Sequence, residues 1–110
     1  LPILKIEKQS NDTYAGTVLK LTPRPGYTAK EFCTHCPVPY TNKPIVGMQV
    51  ISGLKTQDHV NYSNGKIIDP VSGKIYSLKG KVSANNKKLF LRGYFGVSAV
   101  GRSQTWVRVE

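Results

Sequence analysis

The segment from Gly65 to Val109 is a series of short runs in which apolar and polar residues alternate, separated by turn-forming residues. In one of these runs Tyr76 and Leu78 fall on one face and Lys79 and Lys81 on the other, as the two-residue period of a strand requires. Nowhere in the chain does a helical period with capping residues extend over a useful length. The pattern predicts an all-β fold in which successive strands pair as antiparallel hairpins.

The middle of the chain continues this pattern less regularly. Ile45–Leu54 has strand character, and simple alternation places Val46, Met48, Val50 and Leu54 on one face. Lys55–Asn64 is polar, which predicts a turn region before the next strand.

The start of the chain predicts one further hairpin. Leu1–Lys8 alternates loosely between apolar and charged residues, and Thr13–Leu21 is rich in β-branched residues. In total six or seven strands are expected, spaced as in sandwiches and barrels. We therefore predict a single domain over residues 1–110, a small antiparallel up-and-down β-barrel, with a sandwich as the alternative.

The segment Thr22–Lys43 interrupts the strands with four prolines and both cysteines. Proline lacks the N–H that a sheet ladder needs, so this segment is predicted to be a loop outside the sheet. Cys33 and Cys36 are best explained as a structural disulfide, which is typical of an oxidising compartment. A redox dithiol remains an alternative, whereas a zinc site is short of ligands because only His35 and His59 could join the thiolates.

The last run places Arg102, Gln104, Trp106 and Arg108 on one face. A Trp between two guanidinium groups could form a site for an anionic or aromatic ligand through cation–π stacking. The interpretation we favour is that Trp106 closes one end of the barrel while the two arginines cover it.

The charge of the chain is strongly positive, with 16 Lys and Arg against 6 Asp and Glu, a formal net charge of +10. Phe90, Arg92 and Tyr94 share a face and could stack on single-stranded nucleic acid. The lysines are scattered over all segments, however, which favours a solvated basic surface over specific nucleic-acid binding. Catalytic motifs and a plausible carboxylate pair are missing, so we expect no enzyme, cofactor or metal. No apolar run approaches the length of a membrane-spanning helix.

Five blocks of the sequence, in order, resemble the bacterial domain-of-unknown-function family 2147, small exported proteins. The blocks are Cys33-Thr-His-Cys36, Lys43-Pro-Ile-Val-Gly-Met48, Gly65-Lys-Ile-Ile-Asp-Pro-Val-Ser-Gly-Lys-Ile-Tyr76, Leu91-Arg-Gly-Tyr-Phe-Gly96 and Gly101-Arg-Ser-Gln-Thr-Trp106. The resemblance implies an eight-stranded calycin-type (lipocalin-like) barrel, a removed signal peptide and a periplasmic or secreted location. It implies no activity.

One feature of that family has no counterpart here. Its members usually begin with a Gly-x-Trp strand before the segment that matches Leu1, and Trp106 is the single Trp of this chain. Either the first strand is absent from this chain or barrel closure is incomplete. In a calycin-type barrel the early Trp packs against an Arg of the last strand, so the resemblance implies that Arg102 or Arg108 lacks this partner.

We therefore predict a periplasmic barrel that binds a small apolar or amphipathic molecule in its lumen. The alternative is a non-catalytic basic module for anionic polymers or cell-envelope partners. The expected inward-facing residues of the lumen are Met48, Val50, Tyr76, Leu78, Val82, Leu91 and Phe95.

Overall fold

The computed structural model describes residues 3–21, 31–70, 72–96 and 101–108, and these contain strands, turns and loops but no helix. The seven strands are β1 (Ile3–Lys8), β2 (Tyr14–Lys20), β3 (Gln49–Thr56), β4 (Asn61–Ile68), β5 (Ile75–Val82), β6 (Lys88–Tyr94) and β7 (Gly101–Val107). All seven belong to one antiparallel sheet in chain order. The all-β, up-and-down prediction is confirmed, and the sandwich alternative is wrong because the described strands form one sheet.

The sheet curls into a half-barrel whose edges are β1 and β7. Each described strand pairs with its neighbours in the chain, and β7 does not pair with β1. Curling follows from the right-handed twist that neighbouring strands share. The described strands thus enclose a concave inner face that is open along one side.

Ladder register identifies the inner face, because directly opposed residues on paired strands share a face. Gly65 lies opposite Leu78, Leu78 opposite Gly93, and Gly93 opposite Arg102. Leu78 is 2% exposed, so this row faces the core. The buried core consists of Val18, Cys33, Cys36, Ile45, Met48, Val50, Ile51, Leu54, Ile68, Leu78 and Leu91.

Strand β3 departs from the simple alternation predicted for it. Gly16 lies opposite Ile51, and Tyr14 lies opposite Leu54. The step between these pairs is two residues on β2 but three on β3, so β3 contains one extra residue here. Gly53 takes a φ of +72°, which extra residues in a β-bulge often require. The two-residue alternation predicted from Val50 to Leu54 is therefore interrupted. The inward residue in register with Gly16 is Ile51, which is fully buried.

The polar stretch Lys55–Asn64 is mostly strand, contrary to the prediction of a turn region. β3 continues to Thr56 and β4 begins at Asn61. Asp58 confines the turn, because its Oδ1 accepts hydrogen bonds from the backbone N–H groups of Val60 at 2.9 Å and Asn61 at 2.7 Å. A short turn fixed by one carboxylate leaves the remaining polar residues free to pair in the sheet.

The same hydrogen bonds make stability depend on pH. The backbone and side-chain N–H groups of Asn61 hold the pKa of Asp58 well below its ordinary value. A lowered pKa stabilises the fold above the ordinary Asp range, and this contribution declines progressively as the pH falls from about 4 towards the lowered pKa. We expect Asp58→Asn to lower the melting temperature near neutral pH, and the difference from the unmodified protein to shrink at about pH 3. Thermal unfolding followed by circular dichroism measures this, and an equal difference at both pH values would contradict it.

The cysteine-containing loop packs against the turn between β4 and β5. Cys33 and Cys36 form the predicted disulfide and are both buried. Their sulfur atoms lie 3.6 and 3.8 Å from the carbonyl oxygen of Pro70. Residues 31–43 contain no strand, in agreement with the predicted loop, whereas residues 22–30 of that loop lie outside the described residues. No helix in the described ranges is long and apolar enough to cross a membrane.

Candidate ligand site on the inner sheet face

The seven predicted lumen residues differ widely in exposure. Four are buried in the core, namely Met48, Val50, Leu78 and Leu91. Tyr76 and Val82 are half-buried, and Phe95 is 49% exposed. The buried residues fill space, so they contact neighbouring side chains rather than solvent. Residues that could contact a ligand are the accessible ones, and Tyr76 and Phe95 lie together.

An accessible apolar patch lies at one end of the inner face. The rings of Tyr76 and Phe95 are in contact, with centroids 4.4 Å apart and planes tilted by 39°. Ile67 lies opposite Tyr76 on β4 and is half-buried. Gly93 forms the floor beside them: a methyl group placed there would lie 3.6 Å from Cβ of Tyr76 and 3.8 Å from Cγ2 of Ile67, at ordinary contact distance. The glycine therefore leaves room for about one methyl group on the inner face. We call Ile67, Tyr76, Gly93 and Phe95 the inner patch.

Arg102 is the cationic residue next to the inner patch. It lies opposite Gly93 in the β6–β7 ladder, so its side chain leaves the sheet on the inner face. The side chain is exposed and makes no hydrogen bond or ion pair within the described ranges. An accessible guanidinium group beside aromatic rings can bind the anionic head of an amphipathic molecule.

The three residues predicted to close the barrel all lie on or just after β7, an edge strand among those described. Trp106 is half-buried against the core, and its indole Nε1 donates a hydrogen bond of 2.8 Å to Oε1 of Gln104. Nη1 of Arg108 donates to the carbonyl oxygen of Asn86 at 3.3 Å, in the turn between β5 and β6. Arg108 thus has a protein partner, in contrast to Arg102.

Two tyrosines pack together elsewhere in the sheet. The rings of Tyr14 and Tyr62 meet edge to face with centroids 5.4 Å apart. Burial, helped by the proximity of Tyr14 and Asp58, raises the pKa of Tyr62 above its usual value. Tyr62 therefore stays neutral and acts as a packing residue.

A groove of about 430 Å³ crosses the outer face of β4 to β7. Its floor is the backbone of a row whose side chains point inward, namely Tyr62, Gly80, Leu91 and Gln104. Outward-pointing neighbours form two walls, Lys79, Arg92 and Ser103 on one side and Lys81, Phe90 and Thr105 on the other. Strand register thus brings Lys79, Lys81 and Arg92 together on the outer face.

Neither surface contains a recognisable metal site. Among the described residues, no group of three His, Cys, Asp or Glu side chains could hold a metal ion. The inner patch offers accessible apolar surface and the neighbouring Arg102 offers one guanidinium group, a combination that suits binding of an amphipathic anion.

The curled sheet has a lipocalin-like fold. A solved structure, that of protein HP1028 from Helicobacter pylori, which is described as belonging to the lipocalin family, matches with a TM-score of 0.83. The two chains are 19% identical, and the match covers 99% of this chain and 73% of that chain. This protein belongs to the DUF2147 family, described as "Uncharacterized protein conserved in bacteria", whose family model matches residues 2–108. The family predicted from the sequence is confirmed. No curated protein matches the chain.

Proposed function

We propose that this protein is a non-catalytic carrier that binds a small amphipathic anion, of the fatty-acid type, on the inner face of its sheet. The apolar chain of the ligand lies against Tyr76 and Phe95, and its anionic head binds Arg102. The observation that carries the proposal is the position of Arg102, which is exposed and lies opposite Gly93 of the inner patch. The lipocalin-like fold supports it, because barrels of this kind hold small ligands inside the curled sheet.

The energetics of the site suit an amphipathic ligand better than a purely apolar one. Covering the exposed half of Phe95 and the accessible edge of Tyr76 is favourable by about 25 cal/mol for each Å² of apolar surface removed from water. This term alone does not select one ligand over another. A carboxylate bound to the guanidinium group of Arg102 adds charge-assisted hydrogen bonds, which select for an anion.

The proposal includes a location outside the cytoplasm, in the periplasm or beyond the cell. The disulfide between Cys33 and Cys36 supports it, because such bonds persist in oxidising compartments and are rare in the cytosol.

The role of Arg102 is tested by comparing two arginine variants of the last strand. We expect Arg102→Gln to weaken dodecanoate binding about 10-fold or more, because a hydrogen bond to a charged group contributes about 1.5–3 kcal/mol. Isothermal titration calorimetry of the purified protein measures this. The matched control is Arg108→Gln, which removes the same charge from a residue bound to Asn86 and should leave the dissociation constant nearly unchanged.

Binding of dodecyltrimethylammonium completes the test, because its tail has the same length and its head carries the opposite charge. The Arg102→Gln variant should not bind it more weakly than the unmodified protein does. Equal losses of dodecanoate affinity in the two arginine variants, or no dodecanoate binding to the unmodified protein, would rule out the proposed site.

A further inference from the structure

The outer face of β4 to β7 carries cations and no carboxylate. Register and the two-residue period place five basic side chains on the outward positions of these strands: Lys66, Lys79, Lys81, Lys88 and Arg92. Residues 70–109 contain no Asp or Glu. The carboxylates of the described residues lie elsewhere, on β1, in turns or in the loop: Glu7, Asp12, Glu31, Asp58 and Asp69. The sheet therefore has one electropositive face.

Two of the cations on this face lie against neutral groups. The ammonium group of Lys79 lies 5.8 Å from the centroid of the Tyr94 ring. Nη1 of Arg92 donates a hydrogen bond of 2.8 Å to the hydroxyl oxygen of Ser103. Two ion pairs lie at the other end of the sheet, where Lys5 meets Glu7 and Lys8 meets Asp12. A neutral ring or hydroxyl orients a cation without cancelling its attraction for an external anion.

Exposed apolar side chains lie on the same face as the cations. Phe90 is 43% exposed and lies between Lys81 and Thr105 in the ladders. Ile75, on β5, is 44% exposed, and Val107, on β7, is 68% exposed. Aromatic and aliphatic groups among lysines are typical of surfaces that bind the interface of an anionic membrane. A surface that binds single-stranded nucleic acid by stacking would instead need several accessible aromatic rings along the groove. Phe90 is the one aromatic side chain in the two walls of the groove.

We propose that the outer face of β4 to β7 docks on an anionic phospholipid surface, with a lipid phosphate in the groove between Lys79 and Lys81. The argument is charge complementarity: the groove walls present three cations, two hydroxyl groups and no carboxylate. Phe90 inserts at the level of the head groups. This docking is independent of the inner patch, which lies on the opposite face of the sheet.

Sedimentation with lipid vesicles tests the proposal. At low ionic strength the protein should bind vesicles that contain phosphatidylglycerol and should not bind vesicles of phosphatidylcholine alone. Raising the salt concentration should weaken the binding, because both the face and the bilayer are screened. Failure to bind the phosphatidylglycerol vesicles at low salt would overturn the proposal.

Two double variants separate the face from the net charge. Lys79→Gln/Lys81→Gln should weaken vesicle binding roughly 30-fold, because each lysine near an anionic surface contributes about a fivefold step in affinity. Lys20→Gln/Lys43→Gln removes the same charge from exposed positions outside β4 to β7 and should reduce binding only slightly. Equal losses in the two double variants would overturn the proposal, since net charge alone would then explain the binding.

Two further measurements identify what binds in the groove and which face of the sheet binds the membrane. Retention of a single-stranded oligonucleotide without vesicle binding would overturn the membrane proposal and assign the groove to nucleic acid. Arg102→Gln should bind the vesicles like the unmodified protein, because Arg102 leaves the sheet on the inner face. Failure of the inner-patch proposal would leave this result unchanged, so the two proposals fail separately.

Discussion

Gly73→Ala is expected to destabilise the fold by about 3 kcal/mol. Gly73 has a φ of +76°, a left-handed conformation that costs an L-residue about 1 kcal/mol. A Cβ at this position would also overlap the carbonyl group of His35 and contact Cα of Cys36. Because backbone atoms cannot rotate away, either the cysteine loop or the turn between β4 and β5 must move, and such overpacking typically costs 1–3 kcal/mol.

Gly96→Ala is the matched control for this prediction. Gly96 has a φ of +66°, and a Cβ at this position would have no atom within 4 Å. It therefore carries the conformational cost without the overlap and should cost about 1 kcal/mol. Urea unfolding of the two variants measures both values. Equal destabilisation would show that the cysteine loop does not pack closely against Gly73.

Leu78→Ala is expected to cost about 3 kcal/mol, within the range of about 2–5 kcal/mol for truncating a buried leucine. Leu78 is 2% exposed at the centre of the sheet, between Gly65 and Gly93. Neither glycine has a side chain that could move into the cavity, so relaxation should recover little of the lost contact. Urea unfolding again provides the measurement.

Leu19→Ala provides the control for the core truncation. Leu19 lies on β2 and is 52% exposed, so its loss should cost less than about 1 kcal/mol. A similar cost for both leucines would mean that Leu78 is not a core residue and that the inner face contains more free space than described above.

The faces of β5, β6 and β7 could be predicted from the sequence because their alternation is uninterrupted. Tyr76 and Leu78 share the inner face, and Phe90 and Arg92 share the outer face, as the two-residue period requires. Short turns between these strands allow little choice of pairing, so chain order also gives the order of strands in the sheet.

The region from β3 to β4 could not be predicted in the same way. The bulges near Gly53 change the period within a strand; an isolated glycine in a strand pattern signals a bulge but does not show how the register shifts around it. Asn61 opens a strand whose outward residues are polar, so its composition resembles that of a turn. Tertiary pairing with β3 and β5 determines its conformation.

Both candidate sites depend on register across several strands, which periodicity within one strand does not reveal. Arg102 is adjacent to the inner patch because Gly93 lies opposite it. The basic outer face requires the alignment of four strands. One signal of that face is visible in the sequence, since residues 70–109 contain basic residues and no Asp or Glu.

The binding of an amphipathic anion on the inner face is tested most directly by locating the bound ligand. Nuclear Overhauser contacts between the methylene hydrogens of unlabelled dodecanoate and the ring protons of the isotope-labelled protein provide this measurement. We predict contacts from the methylene chain to Tyr76 and Phe95, with a shift of the Arg102 guanidinium resonances and no contact to Phe90. Contacts to Phe90 on the outer face, without contacts to Tyr76 or Phe95, would contradict the proposed site.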